Sequence, residues 1–194
     1  MRRIWVTGYR SYEINTFKDD DPKISVIKEV IKQRLTNILE EDGDEVWVIT
    51  GPQLGVEQWA AQVAVELRKE FRQLKVALML PFTDFAGKWN ESNQRKLADL
   101  RQKVNFSKEI TAKPYESPEQ LRLYQQFMLS HTDQMLMVYD PDHPGKPKYD
   151  YQLAQRQSEQ SDYSIDLIDF DELQEAAIEW SERERERKMS DSDY

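Results

Sequence analysis

Four short clusters place glycine, hydroxyl and cationic residues directly after apolar runs. They are Thr7-Gly8-Tyr9-Arg10, Thr50-Gly51-Pro52-Gln53-Leu54-Gly55, Pro81-Phe82, and Tyr139-Asp140 with the loop that follows. Arg10 can give an anion a charge-assisted hydrogen bond worth roughly 1.5–3 kcal/mol. A helix opening near Gly55 would direct unpaired N–H groups and a partial positive charge at the same place. A helix end alone stabilises an anion by about 0.3–1 kcal/mol, whereas micromolar affinity requires about 8 kcal/mol. The second cluster therefore works only as one wall of a composite pocket, with Arg10 on the other. Tyr9, Trp89 and Tyr115 are the candidate aromatic platforms for a base, an interaction worth roughly 1–3 kcal/mol.

Other residues have two readings. Gly8 and Gly51 either admit a ligand to the backbone or only let the chain turn. Asn90 and Ser92 can cap a helix, and with Trp89 and Asn93 they can instead form a lid hinged at Ala86-Gly87. Gly145, Lys146 and Lys148 form either a solvated loop or a cationic edge. Glu57, in the first turn of a helix, complements the helix dipole and would repel phosphate; in a functional role it would accept hydrogen bonds from ribose hydroxyls or act as an acid or base. It is the one weak catalytic candidate. His131 and His143 lack metal-ligand spacing, no cysteine is present, and neither a metal nor a required cofactor is expected.

These clusters need strands to end beside one another. "RIWVTG", "EVWVIT", "KVALMLPF" and "QMLMVYD" are short, almost continuously apolar runs of the kind buried in a parallel sheet; "FSKEITA" and "YSIDLID" are weaker candidates. Between them, Ile24, Ile27, Ile31, Leu35 and Ile38 share one helical face, after Asp21 as N-cap and Pro22 at the first helical position. Val56, Ala60, Val63, Leu67 and Phe71 share another. "NESNQRKLADLRQKV", "SPEQLRLYQQFMLSHT" and "YDYQLAQRQSEQ" read as further helices, the second with Ser117 as cap before Pro118. The alternation predicts an α/β fold, a Rossmann-like three-layer α/β/α sandwich with a mostly parallel sheet. Residues 1–180 are expected to form one domain, and 181–194 a charged flexible tail whose Glu-Arg interleaving supports a solvated helical extension.

The chain has 194 residues and a formal charge of -9, a balance that opposes a nucleic-acid-coating surface. Its start, "MRRIWVTGYR", lacks a signal-peptide core, and no run approaches the roughly 20 apolar residues of a membrane span. A cytoplasmic protein is expected, with homo-oligomerisation left open.

Together, "VTGYRSYE", "ITGPQLGVEQWA", "PF" with "WNE", "KPYESPEQ" and "VYDPDHPGKPKYDY" resemble the YpsA family of the SLOG superfamily, Rossmann-like relatives of DprA and the LOG phosphoribohydrolases. The resemblance implies a pocket for a nucleotide derivative such as ADP-ribose or an NAD-like molecule, a sensor or regulatory role, and a link to cell-division partners. It carries ligand contact onto Gly8, Arg10 and the segment from Gly51 to Glu57. The P-G-G-x-G-T-x-x-E motif of LOG enzymes has no counterpart in "YDPDHPGKPKYDYQLA". A nucleotide or N-glycoside hydrolase is therefore the alternative, and an interaction protein without a small ligand or a DprA-like nucleic-acid binder stands behind it.

Overall fold

The computed structural model describes residues 1–41 and 43–192. The chain runs β1 (Arg2–Gly8), a short 3-10 turn (Ser11–Ile14), α1 (Pro22–Glu41), β2 (Val46–Thr50), α2 (Val56–Leu67), β3 (Leu74–Phe82), α3 (Glu91–Lys103) and β4 (Phe106–Thr111). It continues through α4 (Glu119–Ser130), β5 (Gln134–Val138), α5 (Lys148–Gln160), β6 (Ser164–Ile168) and α6 (Phe170–Ser192).

Six strands form one sheet in the order β4-β3-β2-β1-β5-β6, and every pairing is parallel. The first four strands step in one direction from β1, and the chain then returns to place β5 on the other side of β1. Because parallel crossovers are right-handed, this reversal moves the connecting helices to the opposite face. α1, α2 and α3 pack as neighbours, joined by α6, while α4 and α5 pack together. The expected three-layer sandwich is thus present, and its sheet is wholly parallel.

Burial explains which strands read clearly. Ile4, Trp5, Val6, Val48, Val76, Leu78, Met135, Leu136 and Met137 are all but inaccessible to solvent, so β1, β2, β3 and β5 need apolar residues on both faces. β4 and β6 are the sheet edges; β4 has no buried position, and β6 is exposed or half-buried until Ile168, which accounts for their weaker sequence patterns. Asp21 Oδ1 accepts the Lys23 N–H at 2.9 Å, capping α1. Before α4, the Gln120 Oε1 accepts the N–H groups of Glu116 and Ser117 at 2.6 and 3.1 Å; a longer side chain closes the turn in which a Ser117 cap was expected.

The charged segment after Trp180 continues α6 as far as Ser192. Arg183 reaches Glu29 of α1 at 4.0 Å, and Arg187 pairs with Glu184 one turn away. Residues 193 and 194 of the expected tail lie outside the described residues. Among the described residues, no helix is long and apolar enough to cross a membrane.

Candidate functional site

The loops after β1 and β2 are tied together by backbone. Ser11 N–H donates to Leu54 O at 3.0 Å and Val56 N–H to Tyr9 O at 3.1 Å, enclosing an antiparallel bridge between Arg10 and Gly55. Gly55 has φ of 122°, and a Cβ there would lie 2.6 Å from both Ser11 N and Tyr9 O. Only glycine meets both demands. The two walls expected from "TGYR" and "TGPQLG" are therefore physically joined.

Their polar groups point elsewhere than an anion cradle requires. The Val56 N–H is used by Tyr9, and the Gln53 N–H donates to Glu57 Oε2 at 2.9 Å. Glu57 Oε1 accepts from the Thr7 hydroxyl at 2.9 Å. A carboxylate of the protein thus fills the position expected for phosphate beneath the loop. Gly51 makes room for it, since a Cβ at that position would collide with the Glu57 carboxylate and the Tyr124 hydroxyl. Thr50 Oγ1 donates to Val6 O at 2.8 Å and holds the end of β2 against β1.

Beside Glu57 a cleft of about 520 Å³ opens at the carboxyl ends of β1, β2, β3 and β5. It lies where strand order reverses, the place at which open parallel sheets build ligand sites. Arg10 and Tyr12 reach it from the loop after β1, Pro52, Gln53 and Glu57 from β2 and α2, and Pro81 from β3. α4 supplies Arg122, Tyr124 and Gln125; the start of α5 and the loop before it supply Asp150, Tyr149 and Lys146. Tyr12 and Tyr149 are each 54% exposed at the mouth, and Lys148 Nζ lies over one face of the Tyr149 ring.

The inner wall is electrostatically unusual. Burial pushes the Glu57 carboxyl up to about 7, against the pull of its Gln53 and Thr7 hydrogen bonds, with Asp150 adding to the rise. Burial likewise raises Asp150 to about 6, although Gln125 Nε2 donates to its Oδ1 at 2.5 Å and Arg10 draws it down. Tyr124, 7% exposed, is held well above the usual phenol range by burial and by both carboxylates. Its hydroxyl is buried without a hydrogen-bond partner, a costly state that a ligand would relieve.

Several predicted site residues lie away from this cleft. Tyr9 is 3% exposed, with its ring packed on Tyr139 and Phe170 at 5.7 and 5.3 Å. Its hydroxyl donates to His143 O at 2.7 Å and accepts from the Asp140 N–H at 3.0 Å. Tyr9 and the equally buried Tyr139 thus build the core beneath the β5 loop and offer a base no free face. Trp89 meets Phe85 edge-on at 5.7 Å, in a small cluster with Leu97. Asn93 donates its backbone N–H to the Asn90 cap at 2.9 Å, so the capping reading holds for "WNESN". Tyr115 rests on Phe82 at 5.2 Å. Gly8 lies in β1 against Val138 of β5, and Gly145 packs on Glu13, whose Oε1 accepts the Lys146 N–H at 2.6 Å. Lys148 Nζ sits 5.1 Å from the Tyr149 ring centre.

Tyr12, Arg122, Tyr124, Gln125, Tyr149 and Asp150 were not singled out by sequence reasoning. One pattern could have found Asp150: like Glu57 after β2, it stands in the first turn of the helix after β5, and β2 and β5 flank β1. Among the described residues, no group of acidic or histidine side chains is arranged to hold a metal ion.

A parallel sheet of this order, with a polar cleft at its reversal, defines a Rossmann-like α/β/α protein. Its residues 4–173 match the YpsA family model, described as the YspA SLOG family, and the chain belongs to that family. It is 57% identical over 187 residues to a UPF0398 protein of Limosilactobacillus reuteri (strain DSM 20016), covering 96% of this chain and 98% of the relative. A UPF0398 protein of Oenococcus oeni is 53% identical, covering 94% and 97%. UPF0398 protein LBA1157 of Lactobacillus acidophilus is 51% identical, covering 95% and 98%.

Proposed function

We propose that the protein binds a nucleotide derivative of the ADP-ribose or NAD-like kind in the cleft between the β1 and β2 loops and the helices α4 and α5. It acts as a cytosolic sensor or regulatory protein in which occupancy changes a surface read by partners, cell-division proteins among them. The observation that carries this reading is the Tyr124 hydroxyl, buried and unpartnered on the wall of a cleft at the sheet's reversal point. The phosphate is assigned to Arg10 with Lys146, since the loop donors below are already used and Arg122 is paired with Glu119 at 2.8 Å. The base is assigned to Tyr12 or Tyr149. One charge-assisted bond of roughly 1.5–3 kcal/mol and one stacked base of roughly 1–3 kcal/mol fall short of the about 8 kcal/mol of micromolar binding. A second cation and the inner polar groups are needed as well. Calorimetric titration with ADP-ribose, NAD and AMP tests this: heat at micromolar to millimolar ligand is expected, and silence from all three with the fold intact refutes it.

A second reading is favoured by Glu57. An acid held near 7 can donate or accept a proton close to neutral pH, as hydrolysis of an N-glycosidic bond requires. It predicts free base released from a nucleoside monophosphate and loss of that release in Glu57→Gln.

A further inference from the structure

The cleft is electrically divided. Arg122 and Lys146 are exposed at its rim and Arg10 is half-buried, whereas Glu57 is 5% exposed and Asp150 half-buried on the inner wall. The hydrogen bonds that reach the two carboxylates come from neutral donors: Thr7 and Gln53 to Glu57, Gln125 to Asp150. Neither makes an ion pair within 4 Å among the described residues, and Arg10 acts on both only through space. Two acidic groups without a close counter-charge, beside an unpartnered hydroxyl, form a wall that a cation would complete. At the rim Arg122 is paired with Glu119 at 2.8 Å, so it is Arg10 and Lys146 that carry the charge an anion would complete.

A ligand matching both has a positive group inside and a phosphate outside. We propose, resting on the nucleotide-binding reading, that the cleft selects a nucleotide whose ring is cationic, the N-ribosyl pyridinium of an oxidised nicotinamide nucleotide, over its uncharged dihydropyridine form. The pyridinium lies toward Glu57 and Asp150, Tyr124 donates to a neutral acceptor on the ligand, and the phosphate meets Arg10 and Lys146. Since the two redox forms have nearly the same size and share every phosphate and sugar contact, charge is what separates them. A protein with this preference reports the oxidation state of the nicotinamide pool.

The test is competitive titration of the full chain with oxidised and reduced nicotinamide mononucleotide at about pH 8, where both carboxyls are largely ionised, with ADP-ribose as reference. The oxidised form is expected to bind at least about tenfold tighter, from the attraction of one cation to two partly screened carboxylates. In the doubly neutralised variant Glu57→Gln, Asp150→Asn, the preference should fall to within about twofold. The wild-type comparison stands without the variant. Equal affinities, preference for the reduced form, a preference surviving in the folded variant, or binding of ADP-ribose with neither mononucleotide would each overturn the inference and leave the nucleotide reading in place. Silence from all three ligands would overturn the inference, and silence from NAD and AMP as well would overturn the nucleotide reading with it.

Discussion

Replacing Glu57 by glutamine should make the protein less stable in acid and more stable above neutrality. In the native state the carboxyl is held at about 7 instead of its ordinary 4.5, with burial the largest cause. Between those values the native chain keeps a proton that the unfolded chain has released. The stability contributed by the protonated group is therefore complete below about pH 4.5 and is lost as pH rises through about 7. Each pH unit is worth about 1.4 kcal/mol, so ionising this side chain costs the native state about 3 kcal/mol by pH 8. Glutamine never ionises. Its Oε1 can accept the Gln53 N–H while its amide nitrogen donates to the Thr7 hydroxyl oxygen, as the O–H of the neutral acid can, but the second amide hydrogen, which the acid lacks, needs a buried acceptor of its own, at a cost of about 1 kcal/mol. Urea denaturation from pH 4.5 to 8 should find Glu57→Gln about 1 kcal/mol less stable at the acid end and about 2 kcal/mol more stable at the alkaline end. The curves should cross between about pH 5 and 6. Asp150 titrates in both proteins and largely cancels in the difference. Parallel curves would refute the reasoning, because they would mean that the carboxyl titrates alike in the folded and unfolded chains.

Gly55→Ala forces a side chain onto the backbone of Tyr9 and Ser11 at φ of 122°; a loss of about 2–3 kcal/mol is expected by thermal or urea denaturation. Tyr124→Phe removes a buried unpartnered hydroxyl, so stability should hold or rise by about 1 kcal/mol while calorimetric affinity for ADP-ribose falls several-fold. Arg10→Ala should weaken ADP-ribose binding by at least about tenfold, the equivalent of a charge-assisted bond. Trp89→Ala should cost about 1–2 kcal/mol of stability from its half-buried packing on Phe85, with ADP-ribose affinity unchanged in the same titration.

The central sheet could be read from the sequence because β1, β2, β3 and β5 are covered on both faces and have no freedom to be polar. The sites where they end followed from the same pattern, and Arg10, Gln53, Glu57 and Pro81 do meet in one cleft. Direction was harder to read. Tyr9 and Tyr139 immediately follow strands, yet the β5 loop closes over them. The cap at Asn90 opens α3 beside the Phe85 and Trp89 cluster, away from the cleft. Tyr124 and Gln125 lie inside a helix and not at a strand end, and only the return of α4 across the sheet brings Tyr124 to Gly51 and Gln125 to Asp150. Asp150 resembled an ordinary acidic residue in a helix's first turn, as did Glu57. What distinguishes both is burial on the wall of one cleft, which depends on how β2 and β5 flank β1.

A crystal structure of the full chain soaked with ADP-ribose measures the central claim most directly. The ligand is expected between Arg10, Tyr124 and Asp150, with a hydrogen bond of about 3 Å or less to the Tyr124 hydroxyl and its base against Tyr12 or Tyr149. Ligand density elsewhere on the molecule, or an empty cleft at saturating concentration in crystals whose cleft is open to solvent, would contradict it.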